Sequence, residues 1–365
     1  MRGEDRSSAL LAEPPRPPLE SDALSRERLA DLAARVAERT WSDGLERWFW
    51  GEGVCLLGLV RVAEALGEPF PAEVLGYLDR NAAAGIEIDH VNNAAPGTAA
   101  VLAARATGER RYLDLAEPLA TWISAAPAAT RARNGALEHW PGGVWADTVF
   151  MAGVFLAHLG AARGDAELIA EAGRQLVAHT EVLQHPDTGL YAHGSHRDET
   201  IWCFWGRANA WCALAGVEFL ELASEVRGVP AELVAAVRGA LRRQLVALAA
   251  AQPAHGVWSV LVDEHPETAG IVETSAAAGI GAAMLRAGAV VPDLPETVTE
   301  AGWRAVRGAL AYVDDSGALT RTSAGTVLQL VPFGYSVIRD DRSQPWGQGL
   351  ALHAIAAALS TEAGA

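Results

Sequence analysis

Twelve helix-length apolar periodicities run through this chain, and they alternate between two kinds. At 21–39, 71–83, 110–124, 165–183, 229–250 and 296–313, apolar residues recur every three or four positions and charges occupy the other face, the pattern of an amphipathic surface helix. Between them, 51–66, 96–107, 146–162, 206–226, 269–287 and 347–360 are nearly continuous Ala, Gly, Leu and Val, as in TSAAAGIGAAM at 274–284. A helix that is apolar on all sides is buried on all sides. The spacing therefore predicts an all-α chain in which six outer helices alternate with six buried ones, closed as a ring of six helical hairpins, the (α/α)6 barrel. A stacked solenoid would give the same local alternation, with self-similar repeats and polar capping hairpins. No shared repeat consensus is visible, which favours the ring. Strand-like material is confined to 190–193, 257–262 and 318–321.

Residues 1–20 are Pro-rich and polar and are expected to form a disordered or extended lead-in; 21–365 are expected to form one barrel domain. The N-terminal segment MRGEDRSSALLAEPPRPPLESD has no apolar run long enough for a signal peptide, and no run in the chain free of charge and turn residues reaches the roughly 18–20 residues of a membrane span. Three cysteines, Cys55, Cys203 and Cys212, make no CxxC pair and suit a reducing compartment, so a cytoplasmic location is expected. A formal charge of −16 and a pI near 5.1 argue against nucleic acid or an anionic membrane as partner, since phosphate binding needs a basic field. All 29 basic residues are Arg. Schiff-base, pyridoxal-phosphate and P-loop lysine chemistry are thereby excluded, and no cofactor is expected. Charge does not distinguish a monomer from a homodimer.

The chemically unusual residues, including most of the 12 tryptophans, gather where the buried segments begin. They fall in WFWGE at 48–52, IDHVNN at 88–93, HWPGGVWAD at 139–147, WCFWGRANAW at 202–211, Glu267 with Glu273 and Thr274, and WGQG at 346–349. In a hairpin ring all inner helices start at the same mouth, so six sequence-distant groups should converge on one pocket. Exposed helix-start N–H groups favour a bound anion there. Flat indole faces suit sugar C–H groups, and Arg donors suit a carboxylate, so a carbohydrate acid is the ligand class this pattern describes. Each residue also has a plainer reading. A Trp at a hairpin corner often only fills core, and Asp89 or Asp147 alone is a good helix cap. Recurrence at alternate helices, and the apolar neighbours Val144, Trp145, Val149 and Phe150 around Asp147, favour a functional carboxyl, because burying one is costly unless it is used or bonded.

Four stretches, WGEGVCLLGL at 50–59, WADTVFM at 145–151, DTGLYAH at 187–193 with WGRANAW at 205–211, and VETSA at 272–276, resemble the unsaturated rhamnogalacturonyl and glucuronyl hydrolases, glycoside hydrolase family 105 and its relative family 88. The similarity runs from about Trp48 to Leu359. It implies the same barrel and a reaction that hydrates the C4=C5 vinyl ether left by a polysaccharide lyase, rather than displacing a leaving sugar; the substrate would be an unsaturated uronyl oligosaccharide. The carboxylate-spacing rule of ordinary glycosidases does not apply to such chemistry. By resemblance Asp147 is the general acid/base, needing a raised pKa to arrive protonated, and Asp89 is the second catalytic aspartate. His193, Arg207 and Trp211 match residues that surround the uronate. Trp50, His139, Trp145, Trp205 and Asn209 are further expected substrate contacts.

Two departures stand out. The stretch 139–145 has two glycines where a longer polar side chain is expected, and SHRDET at 195–200 is shorter and more charged than expected; both point to a substrate not identical to the best-known rhamnogalacturonan disaccharide. Other readings compete. His193, His196, Cys203 and Cys212 raise a zinc site of the kind some (α/α)6 proteins carry, although buried Cys commonly behaves as a small hydrophobe. His139, His193 and His255 would suit a sugar epimerase, and a non-catalytic sugar-binding relative is a third possibility, opposed by the presence of both aspartates. Gly279-Ile-Gly281 lies inside a buried segment without a preceding strand, which reads as close packing rather than a nucleotide loop.

Overall fold

The computed structural model describes residues 14–362; residues 1–13 of the expected lead-in lie outside the described residues. The remaining lead-in is extended and tied down, with the Arg16 N–H donating to the Tyr312 hydroxyl at 2.9 Å and the Leu19 N–H to the Arg307 carbonyl at 3.1 Å.

Six helical hairpins follow. Their outer helices are α1 (Arg26–Asp43), α3 (Ala72–Ala84), α5 (Arg110–Ala125), α7 (Ala166–Leu183), α9 (Ala231–Ala250) and α11 (Glu296–Leu310). Their inner helices are α2 (Trp50–Leu66), α4 (Ala95–Thr107), α6 (Phe155–Arg163), α8 (Gly206–Glu225), α10 (Thr274–Ala287) and α13 (Pro345–Glu362), with a short α12 (Phe333–Ser336) in the last connection. Each inner helix packs on the next, α2 on α4, α4 on α6, α6 on α8, α8 on α10, α10 on α13, and α13 returns to α2. That closure makes the chain an (α/α)6 barrel and removes the solenoid alternative.

The physical cause is the small-residue composition of the inner helices. A Cβ added to Gly58 would sit 2.5 Å from the Gly349 carbonyl oxygen, and one on Gly349 would sit 2.7 Å from the Val54 carbonyl. Inner helices α2 and α13 thus meet backbone to backbone, which only Gly permits. The helices start and stop on local signals: the Asp165 carboxylate accepts from the Glu167 and Leu168 N–H groups at the start of outer helix α7, and Gly67, Gly108 and Gly164 close inner helices α2, α4 and α6 in the left-handed region, as helix ends favour.

Three differences from expectation have local causes. The first helix begins at Arg26 because the Ser25 side chain caps it, after a 3-10 turn at Ser21–Leu24. The tenth begins at Thr274 because the Glu273 side chain accepts from the Ser275 N–H. Among the described residues the only sheet is a hairpin, β1 (Gly194–His196) with β2 (Glu199–Ile201). The segments expected as strands make only isolated bridges such as Gln184 with Tyr191, Ser259 with Val272 and Val313 with Leu319.

At the end of the barrel opposite the inner-helix starts, a buried ionic knot joins four inner helices. Glu218 of α8 receives Arg61 of α2 at 2.5 Å, His158 of α6 at 2.9 Å and Arg286 of α10 at 2.8 Å. The two guanidinium groups hold the Glu218 carboxyl well below the usual range against the opposing effect of burial. No helix among the described residues is long and apolar enough to cross a membrane.

Candidate active site

The starts of the inner helices are joined by a series of contacts. The Trp48 indole N–H donates to the Asn93 carbonyl at 2.8 Å, Asn92 reaches His139, and His139 stacks on Trp145 with centroids 4.5 Å apart. Trp145 meets His193 at 5.3 Å, His193 meets Trp205 at 4.3 Å, and Arg207 lies 4.4 Å over Trp205. Arg207 pairs with Glu273 at 3.6 Å and faces Trp346 at 5.6 Å, and Trp346 stacks on Trp50 at 4.3 Å. Residues from six sequence-distant groups, Trp48 and Trp50, Asn92 and Asn93, His139 and Trp145, His193 with Trp205 and Arg207, Glu273, and Trp346, are thus linked by contacts, whereas Glu267 lies exposed outside them.

Asp147 is held there by lacing between two irregular strands. The Ala146 N–H donates to the His193 carbonyl at 2.9 Å, and the Ser195 N–H donates to the Val144 carbonyl at 2.8 Å. Immediately afterwards Val149–Val154 is π-helical, a widened turn that is frequent at functional sites. Asp147 Oδ2 stands 3.4 Å from His193 Nε2, with 13% of the Asp147 side chain accessible and none of His193. It makes no helix cap. Asp147 Oδ2, His193 Nε2, Trp205 Nε1, Trp211 Nε1 and Arg207 Nε are all buried without a hydrogen-bond partner in the protein. Such atoms are normally satisfied, so their concentration around one carboxylate marks where a polar ligand gains most.

The electrostatics correct one expectation. Burial pushes the Asp147 carboxyl up, but the His193 contact, with His139 and Arg207 behind it, outweighs burial and holds it below its ordinary value. The resemblance required a raised pKa, and the side chains that lower it come together only through the fold. His139 is the opposite case: burial pushes it down to about 3, so it is a neutral ring, with Thr148 at 3.2 Å on Nδ1 and Asn92 at 3.5 Å on Nε2.

Other expected site residues take different parts. Arg207 is fully buried, and its fork is already spent: Nη1 donates to the Ser323 carbonyl and hydroxyl at 2.9 Å, and Nη2 to the Ala324 carbonyl at 2.9 Å. It secures the 323–326 segment rather than presenting a free fork to a carboxylate. Asn209 is likewise consumed, pairing both ways with the Tyr191 backbone at 3.0 and 2.9 Å, so it positions the 190–193 segment and has no group left for a sugar. Trp211 is fully buried between Trp50 and Phe150, so it offers no open stacking face. Asp89 is exposed at the same rim, its N–H bonded to Asn93 Oδ1 at 3.2 Å and its carboxylate next to His90. His90, not Asp89, caps the following 3-10 turn.

Tyr335 was not anticipated. Its hydroxyl lies 2.7 Å from His193 Nδ1, although the two are 142 residues apart; it sits in the four-residue α12 of the last connection, too short to leave a periodic signal in the sequence. Among the described residues no group of three or more His, Cys, Asp or Glu is placed to hold a metal ion. Burial pushes the Cys203 thiol up to about 11 and Cys212 well above its ordinary value, which disfavours the thiolate that a zinc ligand requires. The paired-imidazole reading also weakens, since Trp145 lies between His139 and His193 and His139 is a poor base.

Fold and site together define an (α/α)6-barrel enzyme of the glycoside hydrolase class. The chain matches the family described as Glycosyl Hydrolase Family 88 across residues 27–361. It is 29% identical over 348 residues to the unsaturated rhamnogalacturonyl hydrolase YesR of Bacillus subtilis (strain 168), covering 92% of this chain and 96% of that protein. The crystal structure of a possible GH105 member from Salmonella enterica subsp. enterica serovar Paratyphi A superposes with a TM-score of 0.82 at 25% identity, covering 93% of this chain and 96% of that one. The unsaturated glucuronyl hydrolase of Bacillus sp. GL1 shares the fold with a TM-score of 0.67 at 15% identity, over 90% of this chain and 95% of that one. The chain belongs to Glycosyl Hydrolase Family 88.

Proposed function

We propose that this enzyme removes a 4,5-unsaturated uronyl residue from the non-reducing end of lyase-generated rhamnogalacturonan oligosaccharides. The likeness to YesR along nearly the whole chain supports the substrate class. The observation that carries the chemistry is the Asp147–His193 contact of 3.4 Å at the shared mouth of the inner helices.

In this reading Asp147 protonates C4 of the vinyl ether, and positive charge develops at C5, where the ring oxygen delocalises it. The Asp147 carboxylate then takes a proton from water as the water oxygen bonds to C5. The C5 hemiketal opens to a ketone, the former ring oxygen becomes the C1 hydroxyl, and C1 expels the leaving sugar. The substrate is an anion, and a like charge beside a carboxylate raises its pKa. The substrate's own carboxylate thus opposes His193 and Arg207 and favours the protonated Asp147 that C4 needs. Asp89, at the rim, is assigned to sugar hydroxyls beside this centre.

A panel of lyase products from rhamnogalacturonan, ulvan, glycosaminoglycan and gellan, followed by loss of the ultraviolet absorbance of the conjugated double bond, tests the reading. The rhamnogalacturonan product is expected to be consumed fastest. No loss on any member rejects the reaction, and fastest loss on another member rejects the substrate.

A further inference from the structure

Most tryptophans at the mouth are buried, but Trp140 is 52% exposed. It ends a continuous series of rings that leads inward to the proposed reacting centre. Trp140 lies on His90 with centroids 4.3 Å apart, His90 meets His139 at 4.9 Å, His139 stacks on Trp145 at 4.5 Å with planes 9° apart, and Trp145 meets His193 at 5.3 Å. His90, beside Asp89, therefore packs against Trp140 at a tilt of 49°, and much of the rest of the indole faces solvent.

The backbone fixes this indole in place. Trp140 and Gly143 pair across a two-residue turn, with the Gly143 N–H donating to the Trp140 carbonyl at 2.8 Å and the His139 N–H to the Gly143 carbonyl at 2.8 Å. Pro141 and Gly142 occupy the turn, with Gly142 at φ +83°, the arrangement of a type II turn. The β1–β2 hairpin braces it, the Arg197 N–H donating to the Gly142 carbonyl at 2.8 Å. A Cβ on Gly143 would come within 3.1 Å of Trp145 Nε1 and 3.3 Å of the Ser195 carbonyl. The two glycines that replace an expected polar side chain thus have a structural purpose: one turns the chain and the other lets it press against Trp145.

We propose that Trp140 is the stacking platform for the leaving sugar, and so a specificity-determining residue of this enzyme. This rests on the proposed unsaturated-uronyl reaction. A rigid indole presents an apolar face to sugar C–H groups at little cost in conformational entropy. A platform of this kind selects a leaving group by ring shape and apolar face rather than by hydrogen bonds to a polar side chain.

The test uses two substrates of the same unsaturated uronic acid, the rhamnose-linked disaccharide and the methyl glycoside, with KM and kcat measured for wild type, Trp140→Ala and Trp140→Phe. Trp140→Ala is expected to raise KM for the disaccharide about tenfold, the equivalent of one well-placed aromatic contact. It should leave KM for the methyl glycoside within about twofold, and Trp140→Phe should recover most of the disaccharide affinity. An equal change on both substrates, or none on the disaccharide, overturns the platform while leaving the reaction intact. A wild-type enzyme inactive on both substrates overturns the reaction itself, and the platform with it.

Discussion

Asp147 Oδ2 faces Nε2 of His193 at 3.4 Å, and Tyr335 on the far side of that imidazole decides which nitrogen carries its proton. The Tyr335 hydroxyl accepts the Gln329 N–H at 3.4 Å, and burial pushes the phenol well above its ordinary value. It therefore stays protonated and donates to Nδ1 at 2.7 Å. Nδ1 is thereby the acceptor, and the N–H on Nε2 points at the carboxylate, a tautomer assigned from the hydrogen-bond network.

Asp147→Asn is expected to lower turnover of an unsaturated uronyl disaccharide at least about a thousandfold, the upper range for loss of a positioned acid. Persistent double-bond absorbance in a folded variant is the readout; a rate near wild type would place the proton donor elsewhere.

The pH profile follows from the Asp147 pKa lying below its ordinary value in the free enzyme. A general acid acts only when protonated, so kcat/KM, which reports the free enzyme, should fall about tenfold per pH unit on the alkaline side of that pKa. His193→Gln removes the leading acidifying contact and leaves burial to raise Asp147, so the alkaline limb should move to higher pH. A limb that stays in place would show that His193 does not govern this carboxyl.

Tyr335→Phe keeps the ring and removes only the hydroxyl that orients His193. We expect kcat to fall about tenfold with KM nearly unchanged, the loss of one orienting hydrogen bond, together with an altered pH profile. If thermal stability changes but the profile does not, Tyr335 is merely a packing residue.

Arg207 and Glu273 are both fully buried, 3.6 Å apart. Arg207→Ala leaves a carboxylate without its cation, and breaking such a pair costs about 3–5 kcal/mol. Urea denaturation should show that loss, and Arg207→Met with Glu273→Leu should recover much of it. A single variant as stable as wild type would mean that the pair contributes little to holding the fold.

Three histidines buried as neutral rings set the acid limit. Burial lowers His139 and His353 to about 3 and His179 to about 4. In the unfolded chain each would titrate near the ordinary value of about 6.5. Below that value the unfolded state binds more protons, so stability is fully present above it and is lost as pH falls toward the folded values. Each ring contributes about 1.4 kcal/mol per pH unit in that window. Thermal unfolding from neutral pH downward should show Tm dropping from about pH 6; a flat Tm to pH 4 would mean that these rings are protonated while folded.

The amino-acid sequence alone determined where the helices lie and which of them are buried, because burial on one side or on all sides leaves a periodic trace in local spacing. It also singled out Asp147, since a carboxyl set among apolar residues is conspicuous in one dimension. Ring closure decided the rest. Arg207 and Asn209 were expected as ligand contacts by resemblance, yet the loop at 322–326 and the Tyr191 backbone occupy their groups. Tyr335, the Glu218 knot and the direction of the Asp147 shift had no local signal at all. Each depends on partners from distant segments, and which side chains meet across a closed barrel is set by the packing of its helices and the course of its loops, not by any spacing along the chain.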